Sequence, residues 1–240
     1  MTRDEAKRMA ARRALDFVED GMLLGLGSGT TSTMFIEELG VRVKGGLRVR
    51  GIATSVASQH LAESLSIPII TFEESPVLDL AVDGADEVGP GLALIKGGGG
   101  ALLREKIVAS AARKFIVIAD SSKLVRQLGR FPLPIEVIKM ALPVVKRKLE
   151  ELGLNPKLRH HPDGSVYITD EDNYILDCSC GEIGNPAKTA ATIRSIAGVV
   201  EHGLFLGMAS LALIAGDQGV IEIGKLYGDR YNKAILRLAS

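Results

Sequence analysis

The sequence lacks an excess of charge of either sign, a long apolar run and an apolar segment near its first residues. Its 29 Lys and Arg residues balance 29 Asp and Glu residues, which disfavours nucleic acid or a charged membrane surface as the main partner. No apolar run reaches the ~18 residues that a membrane helix needs, and residues 1–13 are charged, unlike a secretory signal. We therefore expect a cytoplasmic protein that binds neither nucleic acid nor a membrane.

The chain is also poor in residues and motifs that hold metals or cofactors. Cys178 and Cys180 have one residue between them and no second cysteine pair to complete a zinc site. The histidines show no metal-ligand spacing and are interpreted as surface or structural residues: His60, His160, His161 and His202. The third glycine of the dinucleotide fingerprint and the Gly-Lys-Ser/Thr of the P-loop are both missing. We expect no metal and no cofactor.

The first half of the chain alternates helix-like and strand-like segments. The predicted helices carry apolar residues at helical spacing, and the predicted strands are short, continuous apolar runs. Helices are predicted at 2–18, 31–39, 56–65 and 101–112, and strands at 22–26, 49–53, 69–71, 77–82, 92–95 and 115–119. Continuous apolar strands between helices indicate an α/β fold with a mostly parallel, Rossmann-like sheet flanked by helices.

The pattern changes at Pro132 and Pro134, where two prolines in three residues favour a boundary. A smaller inserted α+β domain is predicted next, with strands at 135–138, 174–179 and 199–205, helices at 143–152 and 187–196, and a hairpin over 157–169. We expect strands at 208–215 and 220–223 to rejoin the first sheet and a helix to form at 225–240. The predicted domains are 1–131 with 206–240, and 132–205.

A lysine followed by four glycines is the most informative stretch of the chain. Lys96 ends an apolar run, and after the glycines a helix begins with Glu105 near its start. A glycine run has a large entropic cost, which a folded chain tolerates where another group must approach the backbone. The helix start attracts anions. A flexible linker is the alternative. We expect an active site that includes Lys96, Gly97, Gly98, Gly99 and Glu105.

A second glycine-containing loop follows the predicted strand 22–26 and opens a helix. It consists of hydroxyl residues around a glycine: Ser28, Gly29, Thr30 and Thr31. Its backbone N–H groups and hydroxyls suit a phosphate. The alternative interpretation is a serine or threonine cap on an ordinary helix.

A carboxylate cluster follows the predicted strand 77–82. The cluster occupies residues 83–87 and includes Asp83, Gly84 and Asp86. Because neighbouring carboxylates repel one another, the cluster suits a cation or a hydroxyl-rich ligand. A solvated Asp-Gly turn is the alternative. Lys123 follows the predicted strand 115–119 and adds a cation. Because ligands of open parallel sheets bind at the carboxyl ends of the strands, we expect these loops to form one site.

Taken in order, these motifs resemble type A ribose-5-phosphate isomerases over about residues 2–223. The resemblance rests on residues 27–31, 83–87, 96–106, Asp120 with Lys123, and 131–137. It departs slightly at Ser28 and Thr30, at Gly100, where alanine is frequent in the family, and at the turn of Asp172 and Asn173. The resemblance implies an aldose–ketose isomerase that needs no metal, converts ribose 5-phosphate to ribulose 5-phosphate, and forms a homodimer or homotetramer.

The resemblance also implies roles for the site residues. Glu105 is expected to shuttle a proton between C1 and C2 while Lys96 steadies the developing oxyanion. Asp83 is expected to pass protons during ring opening, and Asp86 to orient the substrate or Lys96. The resemblance implies that the phosphate is bound by Ser28, Thr30, Thr31 and Lys123. Lys7 is a further candidate, at which the match to the family is weaker.

Two other functions remain open from the sequence. Sugar-phosphate-sensing domains of transcription regulators bind such ligands without turnover, and they usually carry a helix-turn-helix, which is not seen here. An amino-sugar-phosphate deaminase would need a histidine near the site, and no histidine lies in the three loops.

Overall fold

The computed structural model describes residues 1–224. Six α-helices and thirteen strands are found in that part of the chain. The helices are α1 (Arg3–Ala14), α2 (Thr30–Lys44), α3 (Val56–Ser64), α4 (Leu102–Ala111), α5 (Leu142–Glu151) and α6 (Pro186–Arg194). The strands are β1 (Leu23–Leu26), β2 (Arg50–Ala53), β3 (Leu78–Asp83), β4 (Glu87–Val88), β5 (Leu94–Ile95), β6 (Ala112–Asp120), β7 (Leu133–Val137), β8 (Pro156–Leu158), β9 (Tyr174–Cys178), β10 (Val199–His202), β11 (Leu204–Phe205), β12 (Leu211–Gly216) and β13 (Gly219–Gly224).

The main sheet has the strand order β13-β12-β6-β3-β1-β2. Its neighbours pair in parallel except β13, which returns antiparallel to β12. This confirms the predicted α/β fold and the predicted return of the chain to the first sheet. The carboxyl ends of β1, β3 and β6 lie side by side, so the segments that follow them meet at one edge of the sheet.

Helices cover both faces of the main sheet. Helix α1 starts with a capping box, in which Thr2 and Glu5 satisfy each other's backbone N–H groups, and buries an alanine face against the sheet. Helix α4 packs Val108 and Ala109 on the opposite face, beside Phe115. None of the helices within residues 1–224 is long and apolar enough to cross a membrane.

Two smaller sheets complete the described chain. The antiparallel sheet β10-β7-β9-β8 packs with α5 and α6 around its own apolar cluster, and β11-β5-β4 forms a short three-stranded sheet. The four strands of the larger of these sheets fall within the predicted second domain. The division into 1–131 with 206–240 and 132–205 stays a prediction, and the predicted helix at 225–240 lies outside the described residues.

Three local predictions are corrected by the structure. The strand at 69–71 is wrong, since only a single bridge joins Ile69 to Gly51 and Pro68 has no N–H to extend the pairing. The strand at 92–95 is shortened to β5. The hairpin over 157–169 turns where predicted, with the His161 N–H bonded to the Ser165 carbonyl, but its only described strand is β8.

The predicted strand 199–205 is divided between two sheets at Gly203. β10 pairs with β7, whereas β11 pairs with β5. The Gly203 carbonyl accepts a hydrogen bond from the N–H of Lys96, and a Cβ on Gly203 would lie 2.3 Å from the Lys96 carbonyl. This close approach breaks the strand and holds the start of the glycine loop.

Candidate active site

A cavity of about 140 Å³ lies at the carboxyl edge of the main sheet. It receives the loops after β1, β3 and β6, as the strand order of the main sheet requires, and also the loop after β5 of the three-stranded sheet. Its lining contains Ala85 and every predicted site residue except Asp83: Lys7, Ser28, Gly29, Thr30, Thr31, Gly84, Asp86, Lys96, Gly97, Gly98, Gly99, Glu105 and Lys123. The structure therefore brings the three predicted loops together.

A buried lysine between two carboxylates forms the floor of the cavity. Lys96 Nζ lies 2.9 Å from Asp83 Oδ2 and 3.3 Å from Glu105 Oε2, and it donates to the Gly84 carbonyl at 2.7 Å. The side chains of Lys96, Asp83 and Glu105 are 2%, 4% and 5% exposed. One cation thus neutralises only part of two buried negative charges.

Asp83 lies behind Lys96 rather than in the cavity lining. Its Oδ1 accepts hydrogen bonds from Ser32 Oγ at 2.9 Å and from the N–H groups of Ser28 and Gly84 at 3.0 and 2.7 Å. A Cβ on Gly27 would lie 2.2 Å from that oxygen, so only glycine lets the β1 loop approach the carboxylate this closely. The other oxygen of Asp83, Oδ2, accepts a hydrogen bond from Lys96.

Glu105 is a carboxyl group of the cavity whose acidity is altered by its surroundings. Burial raises its pKa to about 7, with a further upward contribution from Asp83, and Lys96 and the Ser28 hydroxyl oppose that rise. Ser28 Oγ donates to Glu105 Oε1 at 2.6 Å. Within the described residues Glu105 Oε2 accepts no hydrogen bond. Enclosure by the protein therefore raises the basicity of Glu105.

Lys96 stays protonated in this environment. Burial by itself lowers the pKa of Lys96, but the negative charges of Asp83, Glu105 and Asp86 together outweigh burial and raise it. The cavity therefore holds a permanent cation beside a carboxyl group that can gain and lose a proton near neutral pH.

The start of α2 offers the cavity unpaired backbone donors. Its N-cap is Gly29, with no side-chain capping bond, so the alternative reading of a serine or threonine cap is wrong. The first-turn N–H groups at Thr30 and Thr31 remain available to an anion. Lys7 and Lys123 also line the cavity, and Lys7 keeps a 3.4 Å ion pair with Asp4.

Asp86 touches the glycine loop instead of Lys96. Its Oδ2 accepts a 2.7 Å hydrogen bond from the N–H of Gly98. The sequence predicts that Asp86 orients the substrate or Lys96. The structure adds that Asp86 holds the loop that lines the cavity.

Sequence reasoning missed the side chains that support the site from outside the three loops. Ser32 holds Asp83, and Arg159 and Tyr167 bond to carbonyls of the glycine loop. Ser32 lies in the first turn of α2, directly after the predicted loop of residues 28–31, so its position in the sequence could have pointed to it. Nothing in the sequence near Arg159 and Tyr167 indicates contact with a loop some sixty residues earlier.

The histidines and cysteines, which the sequence analysis did not assign to the site, are not part of the cavity lining in the described part of the chain. None of the four histidines is in that lining among the described residues, which disfavours the deaminase alternative. Residues 1–224 contain no group of three or more His, Cys, Asp or Glu side chains placed to hold a metal ion. Cys178 is buried, and burial raises the pKa of Cys180 to about 11.

The fold and the cavity together define a class: an α/β enzyme in which anion donors and a buried acid–base group share a small polar cavity. A sequence model of ribose 5-phosphate isomerase A (phosphoriboisomerase A) matches residues 50–219. The ribose-5-phosphate isomerase A of Nitrobacter hamburgensis is 51% identical over 226 residues, which is 92% of this chain and 97% of that one.

Solved structures agree with that match. A D-ribose-5-phosphate isomerase in complex with phospho-erythronic acid superposes with a TM-score of 0.90 at 38% identity, over 93% of this chain and all of the other. Ribose 5-phosphate isomerase A from Methanocaldococcus jannaschii gives a TM-score of 0.89 at 40% identity, over 93% of this chain and 100% of that one. The chain belongs to the ribose 5-phosphate isomerase A family, and its enzymatic activity is that of a ribose-5-phosphate isomerase.

Proposed function

We propose that the chain interconverts D-ribose 5-phosphate and D-ribulose 5-phosphate through an enediol, with Glu105 as the base that carries the proton. The observation that supports this most is the buried Glu105, with a pKa of about 7, in ion-pair contact with Lys96 in the cavity. A base is most effective when its pKa lies near the working pH. The reaction belongs to the non-oxidative branch of the pentose phosphate pathway.

In the forward direction Glu105 removes the proton from C2 of the open-chain aldose, and the C1 carbonyl oxygen takes up the electron pair. Lys96 stabilises the negative charge that develops on that oxygen. Glu105 then returns the proton to C1 while the proton of the C2 hydroxyl passes to the C1 oxygen, which leaves the ketose. One carboxylate serves both carbons, so the protein ends the cycle in its starting protonation state.

We propose that Asp83 assists ring opening through Lys96. Ring opening passes the proton of the C1 hydroxyl to the ring oxygen. The contacts of Asp83 are three donors from the protein and the lysine ammonium, so Asp83 holds the Lys96 ammonium where it steadies the oxygens between which that proton passes. Asp86 and the N–H groups of the glycine loop orient the sugar hydroxyls. Gly84 contributes its carbonyl to Lys96.

The phosphate is proposed to bind at the start of α2, with Ser28, Gly29, Thr30, Thr31, Lys123 and Lys7 as its surroundings. A helix N-terminus and two lysines are the groups that attract an anion. Since the phosphate is remote from C1 and C2, its binding energy positions the sugar for the proton transfer. A relative's structure holds phospho-erythronic acid, and we propose that the same cavity here accepts that acid.

A coupled assay with ribose 5-phosphate, with and without a chelator, tests the proposal. We expect ribulose 5-phosphate to form at the same rate in both, because the proposed chemistry uses only Glu105 and Lys96. Activity that disappears with the chelator and returns with an added divalent metal would contradict the proposed mechanism. Failure to form any ribulose 5-phosphate would contradict the proposed function itself.

A further inference from the structure

The segment that leads out of β8 reaches across to the glycine loop. Arg159 Nη1 donates to the carbonyls of Gly97 and Gly98 at 3.0 and 3.1 Å. Tyr167 Oη donates to the carbonyl of Gly99 at 3.2 Å. Three successive carbonyls of the loop that lines the active-site cavity are thus bonded to two side chains that the proposed mechanism does not use.

Arg159 is itself held in place. Its Nε donates to Asp177 Oδ2 at 2.8 Å, and its Nη2 bonds to the other oxygen of the same carboxylate. Its backbone N–H bonds to the Ile175 carbonyl, and its carbonyl accepts from the Tyr167 N–H. The side chain is only 12% exposed. A guanidinium fixed by a two-point contact with a carboxylate has little freedom to follow a moving loop.

The contact between this segment and the loop is close. Gly100 has φ +90°, and a Cβ there would lie 2.1 Å from Tyr167 Oη. A side chain at this position would both strain the backbone and displace the tyrosine. Gly100 therefore permits the hydroxyl of Tyr167 to reach the carbonyl of Gly99.

The direction of the carbonyls decides the direction of the amides. In a planar trans peptide the C=O of one residue and the N–H of the next point to opposite sides. Arg159 draws the carbonyls of Gly97 and Gly98 to one side, and the N–H of Gly98 accordingly reaches Asp86, which lines the cavity. The N–H of Gly99 has no hydrogen-bond acceptor within residues 1–224, so it is available to a ligand.

We propose that Arg159, with Tyr167, is a positioning residue that holds the glycine loop so that the free N–H group of Gly99 binds the sugar part of the substrate. The inference rests on the proposed function, because it takes a phosphorylated sugar as the ligand. It adds that the sugar end of the cavity depends on Arg159, whereas the phosphate end, built by Lys7, Lys123 and the start of α2, does not.

Two ligands separate the two ends of the cavity. Inorganic phosphate engages only the phosphate end, whereas phospho-erythronic acid also needs the sugar end. For Arg159→Met we expect the dissociation constant of phospho-erythronic acid to rise at least ~10-fold, as for loss of a hydrogen bond to a charged group, and that of inorganic phosphate to change less than ~2-fold. Calorimetric titration measures both, and kcat/KM for ribose 5-phosphate should fall with the first.

Two further variants keep the test decisive if Arg159→Met folds poorly. Arg159→Lys keeps the charge but not the two-point geometry and should restore part of the loss. Tyr167→Phe removes one hydroxyl and should weaken phospho-erythronic acid a few-fold. The matched control is Arg104→Met, because Arg104 joins α4 to Asp170 and Glu171 without bonding to the glycine loop.

The proposal is overturned if Arg159→Met and Tyr167→Phe bind both ligands as the wild type does, or lose both equally, or if Arg104→Met shows the same selective loss. Failure of the proposed function gives a different result, since the unsubstituted protein would then neither isomerise ribose 5-phosphate nor bind phospho-erythronic acid.

Discussion

Glu105 owes its chemistry to two opposing effects in a space that water hardly reaches. Burial and the nearby charge of Asp83 favour the protonated acid, whereas Lys96 and the Ser28 hydroxyl favour the carboxylate. Neither effect alone would give a pKa near neutrality, since a lone buried carboxyl would stay protonated and a simple ion pair would stay charged.

The pH dependence of kcat/KM follows from this balance. Below about pH 7 Glu105 gains a proton and can no longer act as the base, so kcat/KM should fall about tenfold per pH unit. Ser28→Ala removes a hydrogen bond that lowers the pKa of Glu105, so this acid limb should move to higher pH. Because the phosphate of the substrate titrates identically with both enzymes, an unmoved limb in Ser28→Ala would assign it to the substrate instead.

Lys123→Ala should weaken binding and leave turnover nearly unchanged. A contact with the remote phosphate is made equally in the ground and transition states, so its loss appears in KM, by roughly tenfold. Arg126→Ala is the matched control, because Arg126 is exposed and lies outside the cavity lining. Steady-state kinetics would refute the assignment if kcat fell with KM unchanged. Lys96 is unsuited to this comparison, since its removal leaves two buried carboxylates without a counter-charge.

At the scale of elements, the site depends on how closely β1 and β3 approach at their carboxyl ends. Gly27 follows β1, and the Asp83 carboxylate occupies the space that a side chain on Gly27 would take. The proposed network of Asp83, Lys96 and Glu105 therefore requires a residue without a side chain at the end of the neighbouring strand.

Gly27→Ala should damage both stability and activity. The added methyl group would lie 2.6 Å from the Asp83 Cα atom, so the backbone must shift, at a cost of roughly 1–3 kcal/mol. Gly184→Ala serves as the control, because a Cβ there meets nothing within 4 Å and the stability should change by less than ~0.5 kcal/mol. Urea unfolding measures the free energy of unfolding of both variants. Equal values for the two would show that Gly27 and Asp83 are not as close as the structure places them.

Apolar periodicity predicted most elements because burial on a parallel sheet is a local property of each segment. It failed at 199–205, where every residue but Gly203 looks like a strand and the break is imposed by the backbone of Lys96. It also failed at 69–71, where a short apolar run follows a proline. Such breaks depend on the neighbour in space, which the sequence of one segment does not contain.

Over the whole molecule, the sequence predicted the cavity lining well because each loop carries its chemistry in consecutive residues and parallel strands end together. It could not predict that Asp83 lies behind Lys96, that Ser28 bonds to Glu105, or that Arg159 holds the glycine loop. Those facts depend on side-chain packing between segments far apart in the chain. The expected homodimer or homotetramer, and the expected cytoplasmic location, stay predictions.

Isomerisation in D₂O, followed by proton NMR, tests the central claim most directly. If Glu105 carries the proton through an enediol, part of it exchanges with solvent, so deuterium should enter C2 of ribose 5-phosphate and C1 of ribulose 5-phosphate. Glu105→Gln is nearly isosteric and should slow both isomerisation and deuterium entry by ~10²–10⁴-fold. Isomerisation by the wild type without deuterium entry, or a Glu105→Gln variant that keeps more than about a tenth of the wild-type rate, would contradict the account.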